Sequence, residues 1–454
     1  MAQKELRSAS PVWPPFARLW GIALVAHVVG NWAQPDIPEP IGWANLAVGL
    51  TGVILAVRPN RAVLIGASSL VVVSVLLEMP VTGNHWVVAG LISMAILAAG
   101  GRPELFMTPA RLVLLIFYGF AAFAKLNSGF FDPTASCAVF YANQWLNGLG
   151  IDPVPTGSAA AVIAIWGSVL VELSVPVMLV WRRTRVAGVI VGSLFHTVIS
   201  FDLNQHFYDF TAVLLPLFLL FAPPDMVRKA DLAWNAVSGW ARRLVTIGFG
   251  LLAGVMVVAA VSPIRSATPG LVTAAPFALW VPFAVWWSIV LVRSTAPGEP
   301  ITWTMRPVAL LVVVATFLNG LTPYLELKTA YSFNMYANLL TAGGESNHFL
   351  IQRTVPLREG YESPVEILDT SDEALLGYRD LGYLIAYPEF RRYLAGRPEA
   401  SVEYRRGGVV YQVRRVANNL ALSAPVPFWW RLFPLRAVDT LRPPRCQDVF
   451  LPAL

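Results

Sequence analysis

Charge is the scarcest feature of this sequence: Asp, Glu, Lys and Arg make up 13% of its 454 residues, about half the share usual in a soluble globular protein. That scarcity excludes a string of ordinary soluble domains, although the length alone would suggest about three. Lysine is nearly missing, and Lys4, Lys125, Lys229 and Lys328 are all there is. Cysteine is limited to Cys137 and Cys446. They are far apart and form no CxxC motif, so a disulfide between them stays open but is not called for by spacing. No Walker loop, no GxGxxG after a strand and no GxSxG elbow occurs, which removes the usual nucleotide and hydrolase signatures. HExxH and HxxxH are missing, and His196 and His206 are wrongly spaced for one helix face. No metal is expected on that ground. The net charge of +6 sits in short segments and forms no basic stripe, which excludes nucleic acid as a partner.

What is present is apolar residue, 56% of the chain. Eleven runs near 17–33, 41–57, 62–79, 84–100, 110–127, 158–181, 185–203, 206–222, 243–262, 272–293 and 306–324 approach crossing length, since about 20 helical residues span the hydrocarbon of a bilayer. The N-terminal MAQKELRSASPVWPPFARLW shows no cleavage signature, so the first run reads as a retained helix. The connections alternate in charge. One set carries Lys4 and Arg7, Arg58 and Arg61, Arg102 and Arg111, Arg182, Arg183 and Arg185, Arg228, Lys229, Arg242 and Arg243, then Arg293 and Arg306. The other holds QPDIPEP at 34–40, the stretch around Glu78, the connection 128–157 and DLNQH at 202–206, with Arg265 as its one exception. Basic loops resist translocation, so the N-terminus is expected in the cytoplasm and everything after about residue 325 outside.

The composition changes near 325, which divides the chain into a polytopic membrane region, 1–324, and a small extracytoplasmic α+β domain, 325–454. VEILDT at 365–370 reads as a strand, and SVEYRRGGVVYQVRRV as a hairpin turning at Gly407-Gly408. DEALLGYRDLGYLIAY and PEFRRYLAG read as helices, the second opening with Pro388. The expected fold is an all-α membrane bundle of about eleven helices carrying this small domain.

Ionisable groups inside apolar runs are costly and need a reason. Lys125, in FYGFAAFAKLNSGFF, lies near the outer end of the fifth run. Desolvation would favour the neutral amine, a base, whereas a lysine that snorkels to the headgroups would be inert. His196 in GSLFHTVISFDLNQHFYDF, His206, Asp209, His85 and Asn127 all map to the same outer third, and His27 to the outer half of the first run. Each imidazole alone reads as a helix-to-helix hydrogen-bond partner; gathered on one side, such groups tend to line a cavity. Glu172, one turn before Pro176, reads as a structural residue or the partner of a basic group.

AFAKLN at 122–127 resembles the lysine-leucine-aspartate/asparagine segment of the vitamin K-dependent gamma-glutamyl carboxylases and of their bacterial HTTM-domain relatives. VELSVPVMLVWRRTRVAGVIVGSLFHTVISFDLNQHFYDF at 171–210 resembles the next helices of that family, and 319–351 the segment after its last helix. The resemblance covers about 15–320 and is best over 110–222. It implies a bacterial cell-membrane protein that uses a reduced quinone, vitamin K hydroquinone or menaquinol, and oxygen. It implies Lys125 as the base that deprotonates the quinol and His196 as a hydrogen-bonding or positioning group. Asn127, His85, His206 and Asp209 are then candidates for the cofactor site. Asn127 stands where the animal enzymes have aspartate, and the short tail matches no propeptide-binding region, so the substrate, a peptide or a small molecule, stays open. A non-catalytic protein that holds a quinone, lipid or partner subunit in the same cavity is the competing expectation. A transporter would show inverted repeats, which are not evident here.

Overall fold

The computed structural model describes residues 12–31, 39–80, 82–261, 269–358 and 360–447. Each of the eleven apolar runs corresponds to a helix: α1 Trp13–Asn31, α2 Glu39–Val57, α3 Arg61–Glu78, α4 Asn84–Ala98, α5 Pro103–Ala124, α7 Ala159–Val180, α8 Arg185–Ile199, α9 Phe207–Leu219, α11 Gly239–Val261, α12 Pro269–Arg293 and α13 Pro307–Leu321. Two more helices occupy segments expected to be connections, α6 Cys137–Gly148 and α10 Pro224–Ala236. Helix α6 starts where Ser136 accepts from Ala138 N, and α10 turns Met226, Val227 and Ala230 inward. Lys4, Arg7, residues 34–38 of the acidic connection, Arg265 and residues 448–454 lie outside the described residues.

Among the described residues, five helices are long and apolar enough to cross a membrane: Arg61–Glu78, Pro103–Ala124, Ala159–Val180, Pro276–Arg293 and Pro307–Leu325. The 13 residues of α9 rise only about 20 Å, short of the roughly 30 Å of bilayer hydrocarbon. The outward faces of the long helices are bare and apolar. On α7, Ile163, Leu170 and Val177 are 70%, 60% and 61% exposed, and their seven-residue spacing puts them on one stripe. Water would penalise that surface; lipid does not.

Inside, α1, α3, α4, α5, α8 and α9 share one core around Phe16, Trp20, Trp86, Phe106 and Phe218. Helices α1 and α2 approach through glycine: a methyl on Gly21 would lie 2.5 Å from Gly52 O, and one on Gly52 2.9 Å from Gly21 O. Backbones this close are typical of helices packed through small residues in membranes. At one end of the bundle, arginines answer the carbonyls that helix C-termini leave open. Arg61 Nε and Nη2 donate to Gly100 O (2.9 and 2.7 Å), Arg111 donates twice to Leu220 O (2.8 and 2.6 Å), and Arg185 Nε donates to Leu179 O (2.9 Å).

At the other end, a short 3-10 turn, Thr322–Leu325, leads into a strap that lies back over the bundle. Glu326, Tyr331, Phe333, Tyr336 and Asn338 all have positive φ, between 46° and 62°, a conformation that costs about 1–3 kcal/mol per residue. Hydrogen bonds to the bundle hold the strap there. Phe333 N donates to Asn84 Oδ1 (2.7 Å), Cys137 N to Asn338 Oδ1 (2.8 Å), and Asn338 Nδ2 to Ala135 O (2.8 Å). Phe333 and Tyr331 belong to the bundle core, and a second core begins only at Val365 and runs to Ala437.

That second core is an α+β unit. Glu366–Thr370, Val402–Arg406 and Val409–Val413 form an antiparallel sheet in which the hairpin 402–413 pairs with the first strand through Val402–Arg406. The hairpin turns at Gly407 and Gly408, with φ of 56° and 79°, a pairing that glycine adopts without steric cost. The helix expected from DEALLGYRDLGYLIAY stops at Leu381, where Gly382 takes φ 69°, and Tyr383–Leu384 pairs with Val438–Asp439 instead. Tyr387–Ala395 is helical with Pro388 in its first turn. Cys137 and Cys446 form a disulfide, which chain spacing alone did not call for, and Cys446 N donates to Ala135 O (3.0 Å) beside it. The tail is thereby bonded to the start of α6. Cys446→Ser is expected to lower stability by about 2–4 kcal/mol, read as a drop in the melting temperature of the detergent-solubilised protein. Full alkylation of both thiols in the folded, unreduced protein would refute the crosslink.

Candidate functional site

Helix α5 ends at Lys125, the residue capping its C-terminus. Its side chain does not snorkel outward: the residue is 6% exposed, and Nζ lies 2.7 Å from Glu172 Oε2 on α7. Glu172 is thus the partner of the lysine. Phe130 faces the ammonium at 5.8 Å, a cation–π contact that adds to the pair. Tyr118 lies two helical turns before Lys125, hence on the same face of α5. Its hydroxyl hydrogen-bonds His196 Nε2 on α8, and His196 is itself buried, with Thr211 Oγ1 donating to its carbonyl (2.9 Å). Three helices thus bring a buried ion pair and a buried phenol–imidazole pair to one place.

A second cluster lies across the ring of Phe210, whose centroid is 5.0 Å from that of His196 and 5.9 Å from that of His85. Here Asp209 Oδ2 is 2.9 Å from His27 Nδ1 and 2.7 Å from His85 Nε2. His27 Nε2 is 3.1 Å from Glu78 Oε1, and the ring stacks on Trp86 at 3.4 Å. Ser74 Oγ lies 2.9 Å from both Glu78 Oε1 and Asn45 Oδ1 and accepts from Trp86 Nε1 (3.0 Å). His27, His85 and Asp209 offer ligand atoms all within 4.8 Å of one another, so a metal ion would fit between them.

Among the described residues, neither the Asn127 nor the His206 side chain hydrogen-bonds a side chain of either cluster, although the two backbones bond Lys125 O and Asp209 N. Asn127 Nδ2 donates to Ala124 O (2.7 Å) and Ala337 O (2.5 Å), while Oδ1 accepts from Phe130 N (2.9 Å) and Asn347 Nδ2 (3.1 Å). It is a clasp between α5 and the strap, and its capacity is used up by protein partners. His206 is the residue before the first turn of α9, and its ring stacks toward Phe277 and meets Tyr208 edge-on. Tyr118 was not among the expected site residues, nor was Glu78; a polar residue seven positions from Lys125 on the same helix was the available signal for the first. A separate crevice, between strap and tail, is lined by Thr329, Tyr336, Tyr361, Arg436 and Arg445 and does not reach Lys125.

No protein family, curated protein or solved structure matches this chain.

Two outcomes follow for the strap. Asn127→Ala is expected to free it, at about 1–3 kcal/mol for each buried partner left without a bond, seen as faster proteolysis within 326–351. Asn127→Asp should do at least as much damage, because a carboxylate would face the two carbonyls that now accept from Nδ2. Lys328, in the strap, is buried with Nζ donating to Asn319 Oδ1 (2.7 Å), and burial pulls its pKa from 10.5 down to about 7. Between those values the unfolded chain holds a proton that the folded chain does not, so stability rises with pH across this window and the burial cost is complete below it. Melting curves from pH 7 to 10 should show that rise, and Lys328→Met should flatten it; an unchanged slope in the variant would contradict the assignment.

Proposed function

We propose that this chain is a multi-pass protein of the bacterial cell membrane, crossing about eleven times with its N-terminus in the cytoplasm, and that it acts on a reduced quinone through Lys125. The arginine-rich end of the bundle then faces the cytoplasm, and the two polar clusters, the strap and the α+β tail face outward. The disulfide supports that side, because thiols persist reduced in the cytoplasm.

The observation that carries the reading is the burial of the Lys125 amine against Glu172. A general base must present a neutral amine to its substrate, and Glu172 Oε2, 2.7 Å from Nζ, is an acid–base partner within reach of it. The bare apolar stripe of α7 gives a membrane-dissolved quinol a route to this pair from the lipid, since Leu173, next to Glu172 in the chain, is exposed on that helix. Lys125 takes the proton of the quinol hydroxyl, Glu172 holds the amine in place, and the Tyr118–His196 pair orients the ring oxygen. A bound quinol would supply the oxygen-driven chemistry of a gamma-carboxylase-like reaction. The acceptor is a peptide or a small molecule.

One feature favours the second reading, a protein that holds a quinone or lipid without turnover: the Lys125 ammonium already has a carboxylate partner and needs no substrate to satisfy it. Membranes supplied with menaquinol and oxygen separate the two. Lys125→Ala and Lys125→Arg are expected to reduce quinone epoxide formation about 100-fold or more, the usual worth of a general base. Epoxide at the parental rate in both variants would sink the base assignment. Quinol retained by the purified parent with no epoxide formed would decide for the holding protein.

A further inference from the structure

We propose that His27, His85 and Asp209 bind a divalent first-row transition-metal cation, with Glu78 as the carboxylate behind His27. The three residues come from α1, α4 and the start of α9, so no spacing rule for one helix face could have found them. The site does not depend on the quinol reading, because the ring of Phe210 stands between it and the Lys125 cluster.

His27 faces more acceptors than a neutral ring can serve. His27 meets a carboxylate oxygen at both ring nitrogens, Asp209 at 2.9 Å and Glu78 at 3.1 Å. A neutral imidazole has one N–H. If it points to Glu78, the lone pair of Nδ1 faces the lone pairs of Asp209 across 2.9 Å, so either a second proton, which makes the ring an imidazolium, or a metal cation stands between them. His85 Nε2 faces the same oxygen from the other side, at 2.7 Å.

One oxygen of Asp209 is left over. Asp209 is 5% exposed, and its Oδ1 has no hydrogen-bond partner. Buried carboxylate oxygens are rarely left so, because the desolvation cost is not recovered. A metal ion, or a water on it, would use that oxygen.

The ligands are also supported from behind. Histidines that ligate metals commonly donate their other N–H to a carboxylate, which fixes the tautomer. Glu78 stands there for His27, held in turn by Ser74, and the Trp86 indole stacked on the imidazole fixes the plane of the ring. Two imidazoles and a carboxylate suit zinc or iron(II) and not magnesium or calcium, which prefer oxygen. With metal–ligand bonds of about 2.0–2.2 Å, tetrahedral ligand atoms stand roughly 3.3 Å apart. The present 2.7 and 2.9 Å separations would open by about half an ångström, well within side-chain adjustment. Three protein ligands leave a position for water or a substrate.

The test uses the full chain purified with an affinity tag free of histidine. After chelation with EDTA it is loaded with Zn2+, desalted and analysed for metal. About one zinc per chain is expected, falling about tenfold or more in His85→Ala and Asp209→Asn and unchanged in Lys125→Ala; Glu78→Gln should weaken binding about 10–100-fold. X-ray absorption at the zinc edge of the parental protein should show two imidazole ligands, a reading that needs no variant to fold. Zinc far below one equivalent in the parent, fewer than two imidazoles on it, or full zinc retained in folded His85→Ala and Asp209→Asn would each overturn the site. The cluster would then be a network bound by protons alone.

Discussion

A charge taken out of water must be answered where it stands, and that constraint organises one whole end of this bundle. The Lys125 ammonium is met by Glu172 at 2.7 Å, and the His27 ring is met by carboxylates on both sides. Removing either partner of such a pair costs more than the pair contributes, because the survivor stays buried and unanswered. The helices are therefore locked in their relative positions by chemistry that hydrophobic packing could not specify. Leucine against leucine tolerates a slipped helix; an ammonium 2.7 Å from a carboxylate does not. Polar pairs thus set the geometry, and the apolar core supplies the adhesion around them.

The two ends of the molecule solve opposite problems. At the arginine-rich end, guanidinium groups bond helix-terminal carbonyls and stay close to a polar boundary, so Arg61 and Arg185 need no acidic partner to be content. At the far end the strap shuts the polar residues away from water, and Phe333 reaches down to contact Phe117. Only in the closed environment do the hydrogen bonds among Tyr118, His196, Asp209 and His85 gain their full electrostatic strength.

How much of this was written in the sequence depends on the distance over which its signals act. Hydrophobic runs are local, so the eleven apolar helices were visible, as was the hairpin at Gly407-Gly408, whereas α6 and α10 were not. Helix α6 was hidden because its composition is mixed and its start depends on one serine cap. Lys125 and His196 stood out as polar residues in apolar surroundings, and both prove to be buried. Their partners were harder to see. Glu172 was marked as structural or as the partner of a basic group, but which base it meets shows only when α5 and α7 pack, and Tyr118 acquires meaning only beside His196 on α8. Asn127 looked like a cofactor contact because it shares the outer third with the other polar residues and stands in the AFAKLN segment, yet its amide is committed to Ala124, Ala337, Phe130 and Asn347. Spacing rules for metals apply to one helix, which is why a cluster drawn from three helices escaped them.

The order of parts along the chain has a consequence for biogenesis. The strap follows α13, yet it packs on Asn84 and Asn127, which are synthesised far earlier. A nascent chain therefore carries its polar clusters uncapped until translation has nearly finished. A premature stop between α13 and the end of the strap would release a bundle with its polar clusters uncovered, a liability that quality-control proteases are well placed to detect.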